Sequence, residues 1–136
     1  MFSNGKRRTN KIDTLVGRST KVAGDLHFDG GLHVDGTVKG NVLAVDGSHS
    51  VLEVSQNGIV EGEVRCPHII LDGTVVGDVH ASDRVELGAN ARVEGNVYYY
   101  MLEMTAGAEV NGKLVRRVPD DTKLLSHKKG ATEAGS

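Results

Sequence analysis

The chain has 136 residues, a quarter of them charged, and a formal net charge of −2. It holds no apolar run of about 18 residues, which excludes a helix spanning a bilayer. Eighteen glycines, two prolines, no tryptophan and 4% aromatics suit a narrow wall of short strands whose lumen takes Val, Leu, Ile and Ala.

The first stretch, residues 1–11, is polar and basic. Lys6, Arg7, Arg8, Lys11 and the later Arg18 face only Asp13, and the stretch opens on the apolar pair Met1-Phe2. No apolar segment of secretory type is present, so a cytosolic location is expected. A basic arm beside one aromatic can rest on an anionic membrane surface, at about 1 kcal/mol per cation near the lipid. A solvated tail, or one that touches nucleic acid non-specifically, has the same composition.

From Ile12 to Val118 the pattern changes. Six units of the form Val-x-Gly-x-Val or Leu recur at Val22–Leu26, Val38–Val42, Val60–Val64, Val75–Val79, Val93–Val97 and Val110–Leu114. Their steps of 16, 22, 15, 18 and 17 residues mark a solenoid, in which each repeat stacks on its neighbours. Apolar residues and glycine alternate with mostly polar ones inside each unit, so each unit reads as a strand. A second column of strands fills the gaps, at Leu32–Val34, Leu52–Val54, Ile69–Leu71, Val85–Leu87 and Leu102–Met104. A weaker third apolar position follows at Phe28, Ala44, Cys66, Ala81 and Tyr99.

The step leaves no room for a crossover helix. One coil of about 17 residues is therefore a turn of a parallel β-helix, and six coils make a rod of about 29 Å at ~4.8 Å per rung. The glycines of the repeat (Gly24, Gly40, Gly62, Gly77, Gly95, Gly112) are expected to point inward where walls approach closely. Gly30, Gly36, Gly58, Gly73, Gly88 and Gly107 are expected at corners with positive φ.

Residues 19–118 carry 14 acids and eight bases. A rod of that charge repels phosphate, so nucleic-acid contact would fall to the arm. After Pro119 the chain is rich in Ser, Gly, Thr, Ala and charge, apart from Leu124-Leu125. Residues 119–136 are read as a flexible tail.

Catalytic constellations are weak. His27, His33 and His80 fall on outward strand positions, His49 and His68 in turns and His127 in the tail. His27 and His80 share a column interrupted by Leu43 and Arg65, so three histidines do not converge as a catalytic zinc site needs. Glu53, Glu86 and Glu103 are expected to stack outward with His33 and Ile70, and Glu61, Glu63 and Glu94 in another column. Such solvated acids, like charges kept apart by water and salt, lack the burial that tunes an acid–base pair. Cys66 reads as a small inward hydrophobe. Outward Ile70 and Val76, with Tyr98 and Tyr100, mark apolar surface patches. No catalytic, cofactor-binding or metal residue is assigned.

The order Lys11-Ile-Asp-Thr-Leu-Val-Gly17, Gly24-Asp-Leu-His-Phe-Asp-Gly30 and Gly36-Thr-Val-Lys-Gly-Asn-Val42, followed by the remaining repeats, resembles the bactofilins, bacterial polymer-forming cytoskeletal proteins. The resemblance covers Ile12 to Val118, the basic arm in front and the Pro-initiated tail behind. It implies an all-β, right-handed parallel β-helix over residues 12–118, joined end to end into filaments without nucleotide. It also implies that Met1, Phe2, Lys6, Arg7 and Arg8 dock the polymer on the inner face of the cytoplasmic membrane. Implied partners are other copies of the chain, and cell-wall synthesis or hydrolysis proteins or chromosome-positioning factors, with no small-molecule substrate and no cofactor. Physics of the rod agrees, because a solenoid without polar caps exposes strand edges and lumen. Leu15, Val16 and Val22 at one end, and Val110, Leu114 and Val115 at the other, are the residues assigned to that contact. The competing class is an enzyme on a hexapeptide-type β-helix, of the acyltransferase or γ-carbonic anhydrase kind. That fold keeps a strict six-residue period, which the varying step here lacks.

Overall fold

A computed structural model describes residues 14–45 and 49–118. The first coil contains β1 (Thr14–Val16), β2 (Lys21–Ala23) and β3 (Leu26–Phe28), and the second β4 (Gly31–Val34), β5 (Thr37–Lys39) and β6 (Val42–Ala44). The third holds β7 (Val51–Val54), β8 (Ile59–Glu61) and β9 (Val64–Arg65), and the fourth β10 (His68–Leu71), β11 (Thr74–Val76) and β12 (Val79–His80). The fifth holds β13 (Arg84–Leu87), β14 (Arg92–Glu94) and β15 (Val97–Tyr99), and the sixth β16 (Met101–Met104), β17 (Glu109–Asn111) and β18 (Leu114–Arg116). Among the described residues there is no helix.

Equivalent strands of successive coils pair in parallel and form three six-stranded sheets. Sheet A runs β1-β4-β7-β10-β13-β16, sheet B β2-β5-β8-β11-β14-β17 and sheet C β3-β6-β9-β12-β15-β18. The expected solenoid and its six coils are present, but the cross-section has three walls. The Val-x-Gly-x-Val unit is two strands, with its glycine at the corner between sheets B and C. The third apolar position belongs to a full sheet.

The core is a set of columns read directly from the register. Val22, Val38, Val60, Val75, Val93 and Val110 stack through sheet B. Leu26, Val42, Val64, Val79, Val97 and Leu114 stack through sheet C. Sheet A adds Leu32, Leu52, Ile69, Val85 and Leu102, and Val34, Val54, Leu71, Leu87 and Met104. In the middle coils these side chains are fully buried. β-branched residues recur because they pack well on a pleated surface.

Corner glycines do not point inward as strand residues. A Cβ on Gly40, Gly62, Gly77, Gly95 or Gly112 would overlap the carbonyl of the corner glycine one coil earlier. The need is close backbone approach at a corner, not in a strand, joined by a positive φ at Gly24, Gly40, Gly62, Gly77 and Gly95. Of the second set, only Gly30 and Gly107 have positive φ, at 89° and 105°. Gly36, Gly58 and Gly73 are glycine because a Cβ would strike backbone carbonyls.

The residue after the corner glycine forms a ladder of its own. Asp25 Oδ1 accepts the Asn41 N–H at 2.9 Å, and Asn41 Oδ1 accepts the Glu63 N–H at 2.9 Å. Asp78 Oδ1 accepts the Asn96 N–H, and Asn96 Oδ1 the Lys113 N–H, each at 2.9 Å. Short amide and carboxylate side chains thereby satisfy backbone donors that a bent chain cannot place in a sheet. Glu63 departs from this pattern and turns its longer carboxylate toward His80, at 3.0 Å.

Candidate functional site

The two ends of the rod are where the core columns stop. At the C-terminal end the last members are Leu102, Met104, Val110 and Leu114. Met104 and Leu114 are 44% and 43% exposed, whereas Leu87 and Val97, one coil inward, are 1% and 0% exposed. Among the described residues the outer edges of β16, β17 and β18 have no further strand in their sheets. The first coil ends the same columns at Val16, Val22 and Leu26. Val16 is buried at 5%, and Val22, Leu26 and Phe28 are half-buried against the core. An apolar column cut off in this way exposes surface whose burial is favourable.

The predicted end-coil residues divide by direction. Val16, Val22, Val110 and Leu114 lie on core columns. Leu15, 62% exposed, is the head of the outward column of His33. Val115 pairs in register with outward Tyr98. Leu26, Leu102 and Met104 belong to the open ends and were missed by sequence reasoning; the alternation through their repeats places them in register with residues already assigned inward. Met1, Phe2, Lys6, Arg7 and Arg8, assigned to membrane contact, lie outside the described residues, as do the tail and His127.

The outer wall of sheet A keeps the predicted column His33, Glu53, Ile70, Glu86, Glu103. Its acids are not separated by water alone. His33 Nδ1 lies 2.9 Å from Glu53 Oε1, and His68 Nε2 lies 2.9 Å from Glu86 Oε2. Arg84 bridges Glu86 and Glu103. His68 is the first residue of β10, not a turn residue. On sheet B, Glu61 and Glu94 flank Val76, which is 46% exposed. Glu63 is not in that column. The apolar outward residues sit on different walls, Ile70 on A, Val76 on B and Tyr98 on C, and make no shared patch.

Sheet C carries a stack along the rod axis. The His80 and Tyr98 rings stack at 4.6 Å, and the Arg117 guanidinium lies 4.6 Å over the other ring centroid. Burial, then the nearby Arg65 charge, hold the His80 imidazole below its ordinary pKa. Glu63, Asp78 and His80 bring one ligand atom each within 4.8 Å of one another. This is the nearest approach to a metal-ligand set among the described residues, and sequence reasoning, which looked for three histidines, did not find it. Arg65 Nε lies 3.5 Å from Glu63 Oε1 and places a positive charge beside it. Cys66 is buried, as predicted for a small hydrophobe, and burial pushes its thiol up to about 12.

These pairs set a pH dependence. The His68 hydrogen bond, followed by charge from His68 and Arg84, holds the Glu86 carboxyl below its ordinary 4.5. A depressed acid contributes stability that is full above its unfolded pKa and lost as pH falls through the folded one. His80, depressed from 6.5, has the same sign, because the fold favours its neutral form. The melting temperature should therefore fall in two steps on acidification. The first begins below about pH 6.5 and the second below about pH 4.5. Melts followed by circular dichroism read both, and His80→Asn should remove only the upper step.

A rod of three parallel sheets whose core columns stop at its two ends among the described residues, with its side-chain clusters spread over outer walls, defines a protein of the parallel β-solenoid class. Comparison with known proteins agrees. A family model described as bactofilin, polymer-forming cytoskeletal, matches residues 14–115, and the chain belongs to the bactofilin family. It is 30% identical over 109 residues to bactofilin BacO of Myxococcus xanthus, covering 80% of this chain and 83% of BacO. It is also 30% identical over 106 residues to bactofilin BacP of the same organism, covering 78% of this chain and 42% of BacP. No solved structure matches.

Proposed function

We propose that this bactofilin assembles end to end into filaments without nucleotide and acts as a scaffold, with no catalytic step of its own. The observation that carries this reading is the termination of the core columns at Leu102, Met104, Val110 and Leu114 with no covering segment among the described residues. Covering several hundred Å² of such surface is worth on the order of 10 kcal/mol before association costs, at ~25 cal/mol per Å². A contact between the two ends of a straight rod repeats without closing and gives an open polymer.

The basic arm, with Met1, Phe2, Lys6, Arg7 and Arg8, places these filaments on the inner face of the cytoplasmic membrane. Cationic residues near anionic lipid and a short apolar pair support that placement. On the membrane the filament localises proteins of cell-wall synthesis or hydrolysis, or of chromosome positioning, through its outer walls and tail. Electron microscopy of the purified protein, with neither nucleotide nor added metal, tests the central claim. Long unbranched filaments are expected, and discrete small oligomers would refute it.

A further inference from the structure

The outer wall of sheet A forms a shallow groove of about 510 Å³ that spans the second to sixth coils. Four carboxylates line it, Glu53, Asp72, Glu86 and Glu103, with Ile70 between them and no lysine or arginine among the lining residues. Arg84 reaches Glu86 and Glu103 from the neighbouring column, while among the described residues Asp72 is met by the neutral Asn90 and Glu53 by His33. Glu103 is 62% and Glu53 39% exposed at the side chain. Among the described residues the wall thus holds acidic charge with one fixed cation, Arg84, against it, in a rod that is already acidic.

We propose that this wall is the docking surface for the chain's own basic arm, residues 6–11, which lie outside the described part of the structure. Three observations select this occupant. The arm carries Lys6, Arg7, Arg8 and Lys11, the complement of the four carboxylates. It also joins the fold at β1, the edge strand of this same sheet, whose Leu15 heads the column of His33 and Glu53. Finally, the spacings agree. Glu53, Glu86 and Glu103 stand two, four and five rungs from β1, or ~10, ~19 and ~24 Å at ~4.8 Å per rung. Lys11, Arg8 and Lys6 stand three, six and eight residues before Thr14, or ~10, ~20 and ~26 Å along an extended chain. An arm that turns at the edge and runs along the rod brings Lys11, Arg8 and Lys6 level with Glu53, Glu86 and Glu103 in turn. Tethering supplies an effective concentration in the millimolar range, so weak, partly exposed ion pairs suffice. The consequence, which rests on the membrane reading above, is that wall and bilayer compete for the same cations.

The test is a photo-crosslink from Asn10→Cys labelled with benzophenone-maleimide in the full-length chain, mixed with unlabelled isotopically heavy chains. The buried Cys66 thiol, pushed up to about 12, stays unlabelled. Cross-links are expected within the light chain, to the segments 53–56, 70–72 and 86–90. They should fall at least ~10-fold in about 0.5 M salt, where the Debye length drops below ~5 Å. They should fall equally in Glu53→Gln/Glu86→Gln/Glu103→Gln. An arm variant, Lys6→Gln/Arg7→Gln/Arg8→Gln/Lys11→Gln, leaves the wall intact and should lose the links too. Links to sheets B or C, links mainly to heavy chains, or links that survive neutralisation of the arm overturn the proposal. Filaments scored by microscopy on the same samples report on assembly separately.

Discussion

Leu114→Arg is expected to yield a folded rod that no longer assembles. Leu114 closes the inward column of sheet C and is 43% exposed, since among the described residues no further coil covers it. An arginine there can reach solvent from the end of a monomer, at a cost to folding of about 1 kcal/mol or less. In an end-to-end contact the same guanidinium would be buried without a partner, which costs several kcal/mol per junction. Each 1.4 kcal/mol is tenfold in association, so the critical concentration should rise by two orders of magnitude or more. Val97→Arg is the control. Val97 is the register partner of Leu114 one coil inward and is fully buried, so the same substitution there should abolish folding. Sedimentation and circular dichroism together read the difference. Filaments formed normally by the Leu114 variant would show that the C-terminal end is not the assembly surface.

The period-of-two alternation carried the fold into the sequence but not the corner. Val22, Gly24 and Leu26 keep the same parity whether the chain runs straight or bends at the glycine, so one strand and two strands read alike. Three sheets became visible only when β2 and β3 separated around Gly24. The same parity put His33, Glu53, Ile70, Glu86 and Glu103 in one column correctly, since parallel register carries it from coil to coil. Contacts off the columns were not legible. His80 meets Glu63 at a separation of 17 residues and His68 meets Glu86 at 18, and each pair joins a strand position to a neighbour set by the corner or strand start. The open ends were half legible. The last repeat was clear, but Leu102 and Met104 lie on the second column, and only the stacking of β16 on β13 shows that they end beside Val110 and Leu114.

Gly62→Ala should be among the most destabilising single-methyl changes in the rod. A Cβ at Gly62 would overlap the carbonyl oxygen of Gly40, lie 2.6 Å from its carbonyl carbon and stand 3.1 Å from Asn41 N. All three are backbone atoms held in the coil stack. The Gly62 N–H donates to Val76 O at 2.9 Å on one side, and the Gly40 N–H donates to Glu61 O at 3.0 Å on the other. Relief therefore requires the third and second coils to part at the corner, which also strains the Asn41 to Glu63 bond at 2.9 Å. Overpacking against a rigid neighbour costs about 1–3 kcal/mol, and lost ladder bonds add about 1 kcal/mol each. A loss of roughly 3 kcal/mol or more is expected, a large fraction of the stability of a small domain. Gly24→Ala provides the comparison. Gly24 is the corner glycine of the first coil, with φ of 125° and nothing within 4 Å of its missing Cβ. Only backbone strain remains there, worth about 1–3 kcal/mol. Urea melts in the Leu114→Arg background keep filament contacts from adding to either value. The Gly62 variant should unfold at clearly lower urea than the Gly24 variant. Equal midpoints would mean that the corner can open by a Cβ without loss, and that contact between coils does not govern the choice of glycine in the repeat.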